Sequence, residues 1–154
     1  MTTPYADATS GAKARDEILK VLRRFGCESV GFMDDFENHE IVLAFTHRGR
    51  PVQLRASATG WAQMYLKENP WNNRRYGNRV DYEQKALRQG QIAINSILRD
   101  WIKGQMTAVE CGVLSFEAVF MPYMIVGGRP LIQRIKETGL LPEPSENKVV
   151  ELPR

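Results

Sequence analysis

"DYEQKALRQGQIAINSILRDWIKGQMTAVECG", residues 81–112, is the stretch on which the fold turns. Leu87, Gly90, Ile94, Ile97, Leu98, Trp101, Met106 and Val109 recur mostly at intervals of three and four, the spacing of one helical face. Asp81 offers a cap and Cys111-Gly112 a stop, so the spacing predicts a helix over 81–110. Gly90 and Gly104 inside it each cost about 1 kcal/mol relative to Ala. Glycines retained at that cost predict close packing against another element, which makes this helix the spine of the core.

Upstream, Ser10 caps a helix to about Phe25 in which Ile18, Val21, Leu22 and Phe25 share a face, and Gly26 ends it. Three strand-like runs follow. "ESVGFMDDF" (28–36) alternates Val30 and Phe32; "EIVLAFTH" (40–47) sets Ile41, Leu43 and Phe45 on one side; "RPVQLRAS" (50–57) turns Val52 and Leu54 inward and Arg55 outward. Gly49 supplies the positive φ of a tight hairpin. The runs predict a three-stranded antiparallel meander with one face covered by the first helix. Thr59 caps a short helix that Pro70 stops. Beyond the long helix, Ser115 caps a short helix to about Phe120, "GG" at 127–128 turns the chain, and a last helix runs from Pro130 to Thr138, ended by Gly139. The class is therefore α+β: a three-stranded antiparallel sheet packed against an N-terminal helix and a long central helix, with short C-terminal helices. Residues 1–9 read as a flexible N-terminus, 10–139 as a single domain, and the Pro- and charge-rich 140–154 as an extended tail.

A chain of 154 residues suits one domain, and 43% apolar with 25% charged residues excludes a disordered composition. No apolar run approaches the roughly 20 residues that span a bilayer. The N-terminal "MTTPYADATSGAKARDE" has no apolar secretory core, which predicts a cytoplasmic protein with no membrane association. Cys27 and Cys111 then read as reduced packing residues.

Catalytic chemistry is hard to assemble from these residues. His39 and His47, the only histidines, fall at hairpin turns and read as solvated. Asp34, Asp35, Glu37 and Glu40 read as an acidic turn, because no lysine stands two residues beyond a strand acid as a restriction-type nuclease site requires. "VGGRP" is too short for a phosphate loop. We expect no catalytic residues, no metal and no cofactor.

Charge is unevenly spread. Cys27–Glu40 holds five acids and no Lys or Arg; Ile41–Val80 holds seven bases, six of them Arg, against one acid. In the middle stands "PWNNRRYGNRVDY" (70–82), where Arg74, Arg75 and Arg79 interleave with Trp71 and Tyr76. Cations for a phosphate backbone and flat rings for bases are what nucleic-acid binding without catalysis needs. Arg48, Arg50 and Arg55 from the hairpin complete the candidate set. This reading requires that cations far apart in sequence converge on one face that carries the rings.

The chain also resembles a family of small, uncharacterised proteins encoded in bacteriophage and prophage genomes, from about Ala12 to Pro142. The resemblance rests on Arg24-Phe25-Gly26 ending the first helix, the Gly49-Arg50 turn with outward Arg55, and Tyr82-Glu83-Gln84 with Arg88-Gln89 opening the long helix. It continues through Ala108-Val109-Glu110 and Gly112, Phe116-Glu117 and Phe120, and Ile125-Val126-Gly127-Gly128-Arg129. "ASATGWAQ" (56–63) and Gly104-Gln105-Met106 depart from the family pattern. The resemblance implies a phage or prophage origin and a bacterial cytoplasm, and it implies no activity.

The expected function is that of a non-enzymatic phage accessory protein binding nucleic acid, DNA or RNA, through phosphate and stacking contacts. The alternative is an inhibitor or adaptor that binds a host or phage protein, using the acidic segment Glu28–Glu40 or the basic half. Glu83, Gln84 and Arg88, near one face of the long helix, suit either a polar network that fixes loop to helix or a binding role.

Overall fold

The computed structural model describes residues 3–74 and 77–145. Helix α1 (Gly11–Arg24) leads into strands β1 (Ser29–Asp35), β2 (Glu40–His47) and β3 (Arg50–Ser57), then helices α2 (Ala58–Glu68) and α3 (Arg79–Glu110). Short elements close the domain: α4 (Phe116–Phe120), a 3₁₀ turn, the two-residue strands β4 (Ile125–Val126) and β5 (Arg129–Pro130), and α5 (Leu131–Thr138). This is the α+β architecture that the periodicities predict. Leu140–Ser145, the described part of the tail, carries no helix or strand. Among the described residues no helix is long and apolar enough to cross a membrane.

The sheet is an unbroken antiparallel meander in the order β1-β2-β3, with Phe32 opposite Leu43 and Leu43 opposite Leu54. Strand side chains alternate faces, so Val30, Phe32, Ile41, Leu43, Phe45, Val52 and Leu54 all point to one side. There they meet Ile18 and Leu22 of α1, Ile94, Leu98, Ile102 and Met106 of α3, and Phe120 of α4. Phe45 and Trp101 each meet Phe120 edge-on, with ring centroids 5.5 and 5.8 Å apart. The inner face is therefore covered by α3 as well as by the first helix.

Helix α3 is the axis of the helical layer. Its first half carries α2 antiparallel to it, and its second half carries α1 running parallel: Arg15 donates to Asn95, Glu17 pairs with Lys103, and Arg24 with Glu110. Gly90 marks the closest approach. A Cβ there would lie 2.8 Å from the Ala58 carbonyl oxygen and 3.3 Å from the Trp61 ring. Gly104 does not act in this way, since a Cβ there would meet nothing within 4 Å.

Two helix starts differ from expectation. Ser57 caps α2 by accepting from the Gly60 N–H, and Asn78 caps α3 by accepting from the Asp81 N–H at 2.8 Å. In both cases a good cap stands two or three residues ahead of the predicted one. Asp81 then occupies the first turn, where its charge suits the helix dipole. Ser115 caps α4 as expected, and Gly139 closes α5 in the left-handed conformation. The last helix begins at Leu131, with Pro130 as its cap position.

The N-terminal segment is a strap, which corrects the expectation that residues 1–9 are flexible; Met1 and Thr2 lie outside the described residues. Thr3 is buried and donates to Glu68, the Pro4 carbonyl accepts from Trp61 Nε1 at 3.0 Å, and the Ala8 carbonyl accepts from Gln89. The Tyr5 hydroxyl donates to Asp100 at 2.5 Å. Composition alone suggested looseness; what holds the strap is a row of partners on α2 and α3 that folding brings within reach.

Two measurements test this packing. Gly90→Ala is expected to lose roughly 1–3 kcal/mol in urea unfolding despite its better helix propensity, because the added methyl meets backbone. Gly104→Ala is expected to gain about 0.5–1 kcal/mol. Equal midpoints for the two variants would show that α2 and α3 are not in close contact. The Arg99 side chain, and next the Tyr5 hydroxyl, hold the Asp100 carboxyl below its ordinary range. A carboxyl depressed in the folded state stabilises above its unfolded value of about 3.9, and that contribution disappears as pH falls through the lower folded value. Asp100→Asn should therefore be less stable than the parent at pH 7 by under about 1 kcal/mol, the group being exposed. The gap should close as pH drops below about 4; a gap that persists there would remove the strap's ionic contribution.

Candidate nucleic-acid interface

The hairpin arginines do not join those of the middle loop. Helix α3 has 32 residues, so at 1.5 Å per residue it is about 48 Å long. Arg48 and Arg50 sit beside Val109 at its C-terminal end, whereas Arg74 and Arg79 sit at its N-terminal end. Convergence of all the candidate cations on one face is corrected by that length.

The hairpin end has its own order. Arg48 and Gly49, with φ of 50° and 75°, form the two-residue turn that closes β2 on β3. Arg50 donates to Glu117 of α4 at 2.8 Å and ties the hairpin to the C-terminal elements. Arg55 lies five residues along the same unbulged strand and so points to the opposite face. There its charge is a minor contributor to keeping the Asp35 carboxyl below its usual range, behind the hydrogen bonds from Asn38. Acids of this region are occupied structurally: Glu28 accepts from the Gly49 N–H, Asp34 pairs with Arg15, and Asp35 accepts from Asn38.

His47 is not a solvated turn residue. It is the last residue of β2, half-buried, with its ring 4.5 Å from that of Phe116 and Nδ1 3.7 Å from Cys27 Sγ. Burial, then the charge of Arg48, pushes its pKa down. Burial, then Glu28, pushes the Cys27 thiol up to about 11, so it stays protonated at neutral pH. Strand parity turns His47 inward, a consequence that its nearness to a turn in sequence conceals.

At the other end, Trp71 is half-buried, and its indole N–H is enclosed without an acceptor among the described residues. It lines a shallow recess with Asn72, Asn73 and Arg74. The Arg79 guanidinium donates to Glu83 one turn on, at 3.0 Å. Arg75 and Tyr76 lie outside the described residues.

Behind this loop opens a cleft of about 680 Å³. Ala6 of the strap and Tyr65 of α2 form one wall, Arg74 and Gly77 of the loop another, and α3 the floor with Asp81, Tyr82, Lys85, Arg88 and Gln89. The strap, the α2 wall and the floor are fixed. The Tyr82 hydroxyl donates to the Asn69 carbonyl at 2.7 Å, Gln89 donates to the strap, and Tyr65 stacks on buried Trp61 at 5.4 Å with 14° between planes. Arg74, Lys85 and Arg88 are exposed, and none pairs with an acid among the described residues. Three cations thus face one carboxylate, Asp81, beside two tyrosine rings.

Of the sequence-predicted residues, Arg74 lines this cleft and Trp71 flanks it. Tyr65, Tyr82 and Lys85 were not foreseen, and Arg88 enters without Glu83 and Gln84, which line no part of the cleft. A signal existed for the helix floor: residues 81, 82, 85, 88 and 89 follow the spacing of one helical face. Nothing in the sequence announced Tyr65, which reaches the cleft only because α2 folds back on α3. Comparison with family models, with curated proteins and with solved structures finds no significant match for this chain.

Proposed function

We propose that this chain is a non-enzymatic phage- or prophage-type accessory protein that binds nucleic acid through phosphate and stacking contacts, at the cleft and loop that flank the start of α3. The observation that carries the reading is the grouping of Arg74, Lys85 and Arg88, without acid partners among the described residues, beside Tyr65 and Tyr82. Cations without acid partners are available to a phosphate, and the fixed Tyr65 ring accepts a base with little further loss of freedom. The positive end of the α3 dipole adds to the same field. Arg48, Arg50 and Arg55 drop out of the interface, so the reading rests no longer on convergence of distant cations but on Arg74, Lys85 and Arg88. Arg79 contributes weakly while Glu83 holds it.

A protein partner is the second reading, favoured by one feature. Phe36 at the β1–β2 turn is 77% exposed and Met33 on edge strand β1 is 54% exposed, amid Glu37 and Glu40. An apolar contact within an acidic rim suits a basic host or phage protein.

Anisotropy titration with labelled oligonucleotides at two salt concentrations separates the two. Binding should weaken steeply with salt, and Arg74→Ala/Lys85→Ala/Arg88→Ala should flatten the log–log slope by about 2–3 units. Arg48→Ala/Arg55→Ala should leave both affinity and slope unchanged. Absence of binding at low salt, or equal loss from the hairpin variant, would overturn the proposal.

A further inference from the structure

We propose that the cleft takes a single unpaired nucleotide, its base laid against Tyr65 and its phosphate held by Lys85 and Arg88, so that the protein selects single-stranded over duplex nucleic acid. This rests on the nucleic-acid reading above and narrows it to one state of the strand.

Shape is the first argument. A recess of about 680 Å³ falls within the range that encloses a group of small-molecule size. Duplex DNA is read by protein elements that protrude into a groove about 12 Å wide, the converse of a recess. Bases inside a duplex have both faces covered by their neighbours, and only an unstacked base can enter a pocket and lie on a ring.

Ring geometry is the second. Tyr65 stands on Trp61, which is buried and held through its Nε1 by the Pro4 carbonyl, so the two rings form a rigid stack. Tyr65 also lines the cleft, and a base stacked on its ring from that side would extend the pair by one.

Charge distribution is the third. Lys85 and Arg88 are three residues apart on one face of α3, and Arg74 approaches from the loop. Asp81 lies in the same lining with no hydrogen bond to its carboxylate among the described residues. A carboxylate there disfavours a bare polyphosphate and suits a ligand that carries N–H or O–H donors next to its phosphate. A nucleotide has both, on base or sugar.

The test uses the full chain with a labelled single-stranded 12-mer, the same sequence as a duplex, and AMP as competitor. The single strand is expected to bind at least about tenfold more tightly than the duplex. Tyr65→Leu should weaken single-strand binding by roughly tenfold to a hundredfold and leave duplex binding near its starting value, whereas Tyr65→Phe should keep both. Since Tyr65 also leans on the core, Lys85→Ala/Arg88→Ala provides a second variant at exposed positions, and it should narrow the gap between single strand and duplex. Equal affinity for the two forms, unchanged by Tyr65→Leu, would overturn the unpaired-nucleotide site and leave the nucleic-acid reading standing. AMP binding without oligonucleotide binding would overturn the strand and keep the cleft as a nucleotide site. Binding of neither would overturn both readings.

Discussion

The backbone of α2 passes so close to α3 at Gly90 that a methyl group there would fall 2.8 Å from the Ala58 carbonyl oxygen. That contact is the hinge of the arrangement. It holds Trp61 against the core and swings Tyr65 out over the first turns of α3, opposite Tyr82. The strap from Thr3 to Ala8 closes over the same junction, with Trp61, Gln89 and Glu68 as anchors. A wider crossing would separate the two tyrosines and open the cleft to a shallow surface. The missing side chain at one helical position therefore shapes a wall that lies several residues away along each helix.

Charge is used differently at the two ends of the molecule. Around the hairpin, several charges are engaged: Arg50 with Glu117, Arg15 with Asp34 and Asn95, Glu28 with the turn backbone. Exposed pairs of this kind add about 0–1 kcal/mol each, so their main effect is to hold the turns and the flanking helices in register. Around the start of α3, Arg74, Lys85 and Arg88 have no acidic partner among the described residues. Sequence counts see an acidic segment followed by a basic one. The fold gives Arg50 and Arg15 acidic partners in Glu117 and Asp34, and gathers Arg74, Lys85 and Arg88 at one cleft.

How much of this was legible beforehand differs by level. The long helix, the meander and the caps at Ser10 and Ser115 follow from local periodicity and capping chemistry, and they stand where those predict. Starts of α2 and α3 slipped by two or three residues because Ser57 and Asn78 compete with Thr59 and Asp81, and a cap is chosen by which N–H it can reach. Within the site, Arg74 and the loop were legible as a basic, aromatic stretch. Lys85 was legible only through its helical spacing with Asp81 and Arg88, and Tyr65 was not, since it reaches the cleft only because α2 folds back on α3.

The chain's own pattern determined the main helices, the three-stranded meander, their order and much of their core-facing side, because those properties depend on neighbours within one or two turns. Only the tertiary structure decided which cations share a surface. That outcome depends on α3 being about 48 Å long, which puts the hairpin and the loop at opposite ends. It depends equally on strand parity, which turns Arg50 and Arg55 to opposite faces, and on the tight crossing that brings Tyr65 to Tyr82. Lengths and crossings of this kind are set between elements, and local patterns carry no record of them.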